Sequence, residues 1–144
     1  MATLEQAILL AVQAHYGQLD RYGRPYILHP LRVMQRMETE AEMTAAILHD
    51  IVEDTPYTLD DLRALGYAEE VVAAVDHLSR REGETYEAYI ERLRPHPMAR
   101  RIKLADLEDN MDLRRLNTIG EKDVERLRRY RQAWERLRQA QEGG

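Results

Sequence analysis

Residues 46–55 read Ala46-Ile47-Leu48-His49-Asp50-Ile51-Val52-Glu53-Asp54-Thr55, an imidazole and an acid side by side in an apolar run, with an acidic pair one helical turn later. At 3.6 residues per turn, His49 and Glu53 fall on one face of a helix and Asp50 and Asp54 on the next. Burying four ionisable groups unpaired against an apolar core costs roughly several kcal/mol for each. A divalent cation removes that cost, because it takes neutral imidazole and carboxylates as ligands. A His-Asp pair alone also describes a hydrogen-bonded core histidine, so the reading depends on partners elsewhere in the chain.

Outward from this segment, apolar residues recur at helical spacing almost everywhere. Upstream, Leu4, Ile8, Ala11, Val12 and His15 predict a helix over 4–17, and the stretch 18–26 breaks the pattern with Gly23 and Pro25. Pro30 opens a second helix that continues through Leu31, Val33, Met34 and Met37; the third, over 40–52, carries the His49 segment and is limited by Pro56. Downstream, Thr58 with Asp61 three residues later opens a short helix that stops at Gly66, followed by helices over 68–78 and, capped by Thr85, through Leu93. Pro95-His96-Pro97 closes that one. A long helix runs from Met98 to about Leu116, and a last one over 121–141 has Val124, Leu127, Tyr130, Trp134 and Leu137 as its stripe. No run of period two supports a strand. The predicted fold is all-α, about seven to eight helices in a single domain over 1–144, with Gly143-Gly144 frayed at the end.

Composition narrows the function. With no cysteine among 144 residues, thiol catalysis, iron–sulfur clusters and cysteine-ligated zinc are excluded, so any metal is held by His, Asp and Glu. The net charge of −5 argues against a nucleic-acid partner, and the arginines gathered between Arg126 and Arg138 read as a solvated helix face. Nothing approaches the roughly 20 apolar residues that span a bilayer, and the first residues lack a basic leader, so a soluble cytoplasmic protein without a membrane partner is expected. Oligomeric state is left open.

Two further segments supply partners for His49 and Asp50. His29 stands beside Pro30 at a helix start, and Asp106 lies on the apolar face of Lys103-Leu104-Ala105-Asp106-Leu107-Glu108-Asp109-Asn110, with Asn110 one turn on. Glu108, Asp109 and Asp112 read as solvated helix charges. Lys103, about a turn before Asp106, either reaches toward it or snorkels at the surface. Arg80-Arg81 in a polar loop, with Arg24, Tyr86 and Tyr89, are further phosphate-binding candidates, while His77 and His96 read as ordinary residues without partners.

In this order the segments resemble the HD superfamily of metal-dependent phosphohydrolases, and most closely the hydrolase domain of RelA/SpoT-type enzymes and small stand-alone alarmone hydrolases. The resemblance is carried by Ala14-His15-Tyr16-Gly17-Gln18, Pro25-Tyr26-Ile27-Leu28-His29-Pro30, Leu48-His49-Asp50 through Thr55, and Lys103-Leu104-Ala105-Asp106 with Asn110, over residues 4 to 116. It implies an HD-domain helical bundle in which His29, His49, Asp50 and Asp106 bind one divalent metal, Mn²⁺ in that family. Glu53 and Asp54 match the family's catalytic acids, and Asn110 matches an asparagine that contacts the ribose. The chain departs from the pattern at three places, one of them Leu107, which follows Asp106 where a basic residue is usual. Asp20 stands where the family carries an arginine that stacks on guanine, leaving Arg21 and Tyr22 as substitutes, and Asp109 stands where a histidine is usual. The expectation is a metal-dependent phosphohydrolase of a small nucleotide, with (p)ppGpp 3′-pyrophosphate hydrolysis as its specific form. Arg21, Tyr22, Lys103 and Asn110 would bind substrate, and an arginine placed at position 20 would favour a guanine alarmone. Alternatives are an HD phosphatase for another small nucleotide and a non-catalytic ligand-binding module.

Overall fold

A computed structural model describes residues 1–143. The α-helical segments are α1 (Leu4–Ala14), α2 (Leu28–Gln35), α3 (Glu40–Leu48), α4 (Ile51–Asp54), α5 (Leu59–Ala64), α6 (Glu69–Leu78), α7 (Tyr86–Leu93), α8 (Pro97–Asn110) and α9 (Glu121–Gly143), with a 3₁₀ turn at Leu113–Arg115 before α9. Taking α3 and α4 as one interrupted helix leaves eight. Among the described residues no strand forms; Leu19 and Pro25 make one isolated bridge. None of the helices is long and apolar enough to cross a membrane.

Local chemistry sets most boundaries. The Thr3 and Thr58 hydroxyls accept the N–H groups of Gln6 and Asp61, whose side chains return the bond to the cap backbone. Thr39, Thr85 and the His96 imidazole cap α3, α7 and α8 in the same sense. Helix α3 lies at the centre of the bundle, packed by α1, α2, α6 and α8, and Ala45, Ala46, Ile47 and Leu48 are wholly buried. Each large side chain of this kind contributes about 1.5–3 kcal/mol through burial. Ala7 and Ala11 on α1 let that helix approach closely, and α9 seals the other side of α8 with Ala133 and Leu137.

Three predicted boundaries are corrected. The helix expected over 40–52 breaks at His49-Asp50, because the Ala46 carbonyl accepts both the backbone N–H of His49 (3.3 Å) and its imidazole Nδ1–H (2.6 Å). The chain resumes as α4, where the Asp54 N–H reaches the Asp50 carbonyl at 3.0 Å. The long helix ends at Asn110 instead of near Leu116, since Asp112 adopts an extended backbone and caps the following 3₁₀ turn through Arg114 N–H. Helix α1 stops at Ala14, where His15 leaves helical geometry ahead of Gly17 at φ +83°. Of the two glycines expected to fray, Gly143 closes α9 and Gly144 lies outside the described residues.

Along α9 the basic stretch is largely paired with acids: Arg126 with Asp123, Arg131 with Glu135, Arg136 with Glu91 and Arg138 with Glu142. Arg131, Arg136 and Arg138 lie on a solvated face, while Arg126 is largely buried.

Candidate metal centre

The break between α3 and α4 turns His49 and Asp50 toward the first turn of α2 and the middle of α8. There His29, His49 and Asp50 place one ligand atom each within 4.8 Å of one another. Asp106 joins them, its Oδ1 lying 2.7 Å from His29 Nε2 and 3.5 Å from His49 Nε2. His49 Nε2 also approaches Asp50 Oδ2 at 3.0 Å, yet it is buried and aligned with neither carboxylate for a hydrogen bond. Because Nδ1 donates to a carbonyl, Nε2 is the nitrogen that carries the free lone pair in neutral His49. A buried imidazole nitrogen without an aligned partner, ringed by imidazole and carboxylate, fits a divalent cation on two nitrogens and two carboxylates.

The groups behind these four atoms are ordered too. Lys103 does not snorkel; its ammonium is buried against the rings of Tyr86 and Tyr89 and donates to Asp106 Oδ2 at 2.8 Å, leaving Oδ1 toward the imidazoles. Asn110 Nδ2 contacts the same Oδ1 at 3.3 Å. The Tyr26 hydroxyl donates to Asp50 Oδ2. Asp109, read from sequence as a solvated charge, is buried: its Oδ2 accepts from His29 Nδ1 at 2.6 Å and its Oδ1 from Arg32 Nε at 2.7 Å. That correction has a plain cause. Asp109 follows Asp106 by three residues on the same helix face, turned toward α2, where Arg32 and His29 wait.

Charge sets the protonation. Burial opposes charging of His29 and His49, but the carboxylates of Asp106, Asp109 and Asp50 overcome it and raise both imidazoles above 6.5, His49 well above. Although burial pushes the acids upward, the His49 imidazolium holds Asp50 down at about 2, and Lys103 with the imidazoles holds Asp106 well below the usual range. In the metal-free cluster the acids thus favour the protonated imidazoles, and the imidazoles favour the ionised acids. Glu53 and Asp54 stand at the exposed rim on α4. Partial desolvation, with Asp50 nearby, raises both carboxyls, and Glu53 also accepts the backbone N–H of Arg80.

The raised imidazoles carry a sign. Their stabilising contribution is complete below the unfolded value of about 6.5 and is lost as pH rises through the higher folded values. The melting temperature of the metal-free protein should therefore fall as pH rises above about 6.5 in a calorimetric series. A flat or rising profile there would mean that His29 and His49 are buried neutral.

No family model matches the chain. Among characterised proteins, the bifunctional (p)ppGpp synthase/hydrolase SpoT of Escherichia coli is 38% identical, the alignment covering 88% of this chain and 19% of that one. A guanosine-3′,5′-bis(diphosphate) 3′-pyrophosphohydrolase of Haemophilus influenzae is 36% identical over 84% of this chain and 19% of its own length. The chain is a SpoT-type homologue. It spans about a fifth of the length of these relatives. The solved structure of a metazoan ortholog of SpoT, which hydrolyzes ppGpp, superposes with a TM-score of 0.80 over 96% of this chain and 86% of that one at 24% identity. That likeness establishes the shared helical fold.

Against the SpoT-type pattern, the nucleotide side of the site differs from the sequence expectation. The Asp20 carboxylate is engaged within its own loop and with Arg115. Its Oδ1 accepts the N–H groups of Tyr22 and Arg24 at 2.9 and 3.0 Å, and its Oδ2 lies 3.4 Å from Arg115 Nη2. An arginine at position 20 would lose the two backbone hydrogen bonds that hold this turn. Tyr22 and Asn110 come together and line one small cleft with Arg115, Arg126 and Tyr130. Arg21 is exposed beside it. The sequence reading gave no role to Arg32 and Arg115, quoted Tyr26 only within a motif, and took Asp109 for a solvated charge. His77 and His96, read as unpartnered, stack on one another with ring centroids 4.4 Å apart.

Proposed function

We propose that the chain is a single-domain, metal-dependent phosphohydrolase that removes the 3′-pyrophosphate from a (p)ppGpp-type nucleotide in the cytoplasm. The observation that carries this reading is the convergence of His29, His49, Asp50 and Asp106 beneath the Glu53-Asp54 rim. The names of the homologues in Escherichia coli and Haemophilus influenzae support the substrate class. In this reading the four converging residues hold one divalent ion, Mn²⁺ by family resemblance. Such an ion would supply Lewis acidity, lowering the pKa of a water and polarising the phosphoryl oxygens. Glu53, with a carboxyl raised toward neutrality, orients the attacking water and takes its proton; Asp54 beside it returns a proton to the departing 3′-oxygen. Water oxygen bonds to phosphorus as the bond from phosphorus to the 3′-oxygen breaks, yielding the 5′-nucleotide and pyrophosphate.

Lys103 fixes Asp106 in this scheme, and Asn110 reaches from the metal face to the ribose. Tyr22 and Arg21 receive the base. Replacing both by alanine should raise KM for the true substrate and leave kcat largely intact, the mark of lost binding common to ground and transition states. A fall in kcat with KM unchanged would move these residues into the chemistry.

The deciding experiment incubates the protein and Mn²⁺ with ppGpp, NADPH and a panel of nucleoside phosphates and measures pyrophosphate and phosphate release. Pyrophosphate from ppGpp is expected. Release of phosphate from another nucleotide, with ppGpp untouched, would favour a second reading, an HD phosphatase of different specificity. That reading draws on Asp20, whose carboxylate is committed to a turn where the family has a stacking guanidinium. No turnover of any nucleotide would leave a ligand-binding module.

A further inference from the structure

We propose that Asp109 is the positioning residue of His29 and that Arg115 ties it to Asp20, so that the nucleotide-side loop and the metal centre form one mechanical unit. This goes beyond the function above and rests on its assignment of His29 as a metal ligand. Asp109 is 7% exposed and accepts from three side chains: His29 Nδ1 at 2.6 Å, Arg32 Nε at 2.7 Å and Arg115 Nη1 at 3.0 Å. A carboxylate on Nδ1 fixes the ring plane, keeps Nε2 directed at the centre and makes that nitrogen a stronger donor. Two guanidinium groups hold the carboxylate in place while it does so.

Arg115 reaches further. Its Nη1 also meets the Asp109 carbonyl at 3.0 Å and Asn110 Oδ1 at 3.3 Å, and its Nη2 meets Asp20 Oδ2 at 3.4 Å. Asp20 in turn holds the N–H groups of Tyr22 and Arg24. A continuous path of polar contacts thus runs from Tyr22 through Asp20, Arg115 and Asp109 to His29. Asp20 and Asp109, two of the positions at which the chain departs from the family pattern, are the two acids that this one guanidinium joins. The 3₁₀ turn at Leu113–Arg115, which ends the long helix early, delivers that guanidinium.

The test is Mn²⁺ binding to the full chain, titrated for the wild type and for Asp109→Ala, Asp109→Asn, Arg115→Gln and the double variant Asp109→Ala/Arg115→Gln. Asp109→Ala should weaken Mn²⁺ binding by roughly 10- to 100-fold. Asp109→Asn should recover part of that loss, because its amide oxygen still accepts from Nδ1–H. Arg115→Gln should weaken binding about three- to tenfold in the wild-type background and add nothing to Asp109→Ala, since it acts through the same carboxylate. Glu108→Ala, one residue away and paired with Arg36 and Trp134, should leave the affinity unchanged and controls for loosening of α8. Wild-type affinity in Asp109→Ala, or an Arg115→Gln loss equal in both backgrounds, overturns the proposal while the metal assignment stands. Failure of the wild type to bind Mn²⁺ overturns the metal assignment and this inference together. If Asp109→Ala does not fold, Asp109→Asn combined with Arg115→Gln replaces it in the same comparison.

Discussion

His49→Ala should bind no divalent metal under conditions where the wild type binds one ion, and its melting temperature should no longer respond to added Mn²⁺. His49 Nε2 is a buried atom with no aligned protein partner, and it lies within 3.5 Å of both carboxylates of the centre. Without it, two carboxylates and one imidazole remain. A ligand present at a hundred times its Kd stabilises the folded state by about 2.7 kcal/mol. For a chain of this size that corresponds to a shift of roughly 10 °C, which the variant should lose. Asp50→Ala should behave alike and also leave the Tyr26 hydroxyl without its acceptor. Metal analysis of the purified variants, beside melting curves with and without Mn²⁺, gives the result; stoichiometric metal in both would make the ligand assignment wrong.

Glu53→Gln separates holding the ion from using it. Glu53 sits on α4 outside the four-ligand cluster, and its carboxyl is raised first by desolvation and then by the acids around it. The amide keeps the shape and the Arg80 N–H contact but cannot take a proton from water. Turnover should drop by roughly 10²–10⁴-fold, the range for a positioned acid–base group, with metal content unchanged. If metal and activity disappear together, Glu53 is a ligand or an anchor for the centre.

The sequence carried the fold through local signals. Thr58 with Asp61 and Thr85 before α7 each act within one turn, so residue spacing alone locates the helices they open. His29, His49, Asp50 and Asp106 were legible for another reason: polar residues on apolar helix faces demand partners. What escaped was charge satisfied across long separations. Asp109 looks like any surface acid beside Glu108 until α2 brings Arg32 and His29 against it, 77 and 80 residues away in the chain. Asp20 and Arg115 meet across 95 residues, and neither residue type announces the other. The break after Leu48 was equally invisible, because it depends on an imidazole capturing the Ala46 carbonyl, which is a choice of rotamer.

Lys103, buried on the outer oxygen of Asp106, has an effect on ion exchange. With Arg32 and Arg115 it supplies three fixed positive charges against the three carboxylates Asp50, Asp106 and Asp109. Asp20 shares the Arg115 guanidinium, so the fixed acids exceed the fixed cations by one before the rim pair Glu53 and Asp54 is counted. In the proposed reading a divalent ion would meet that excess of negative charge in competition with protons on His29 and His49, so that metal binding would weaken as pH falls.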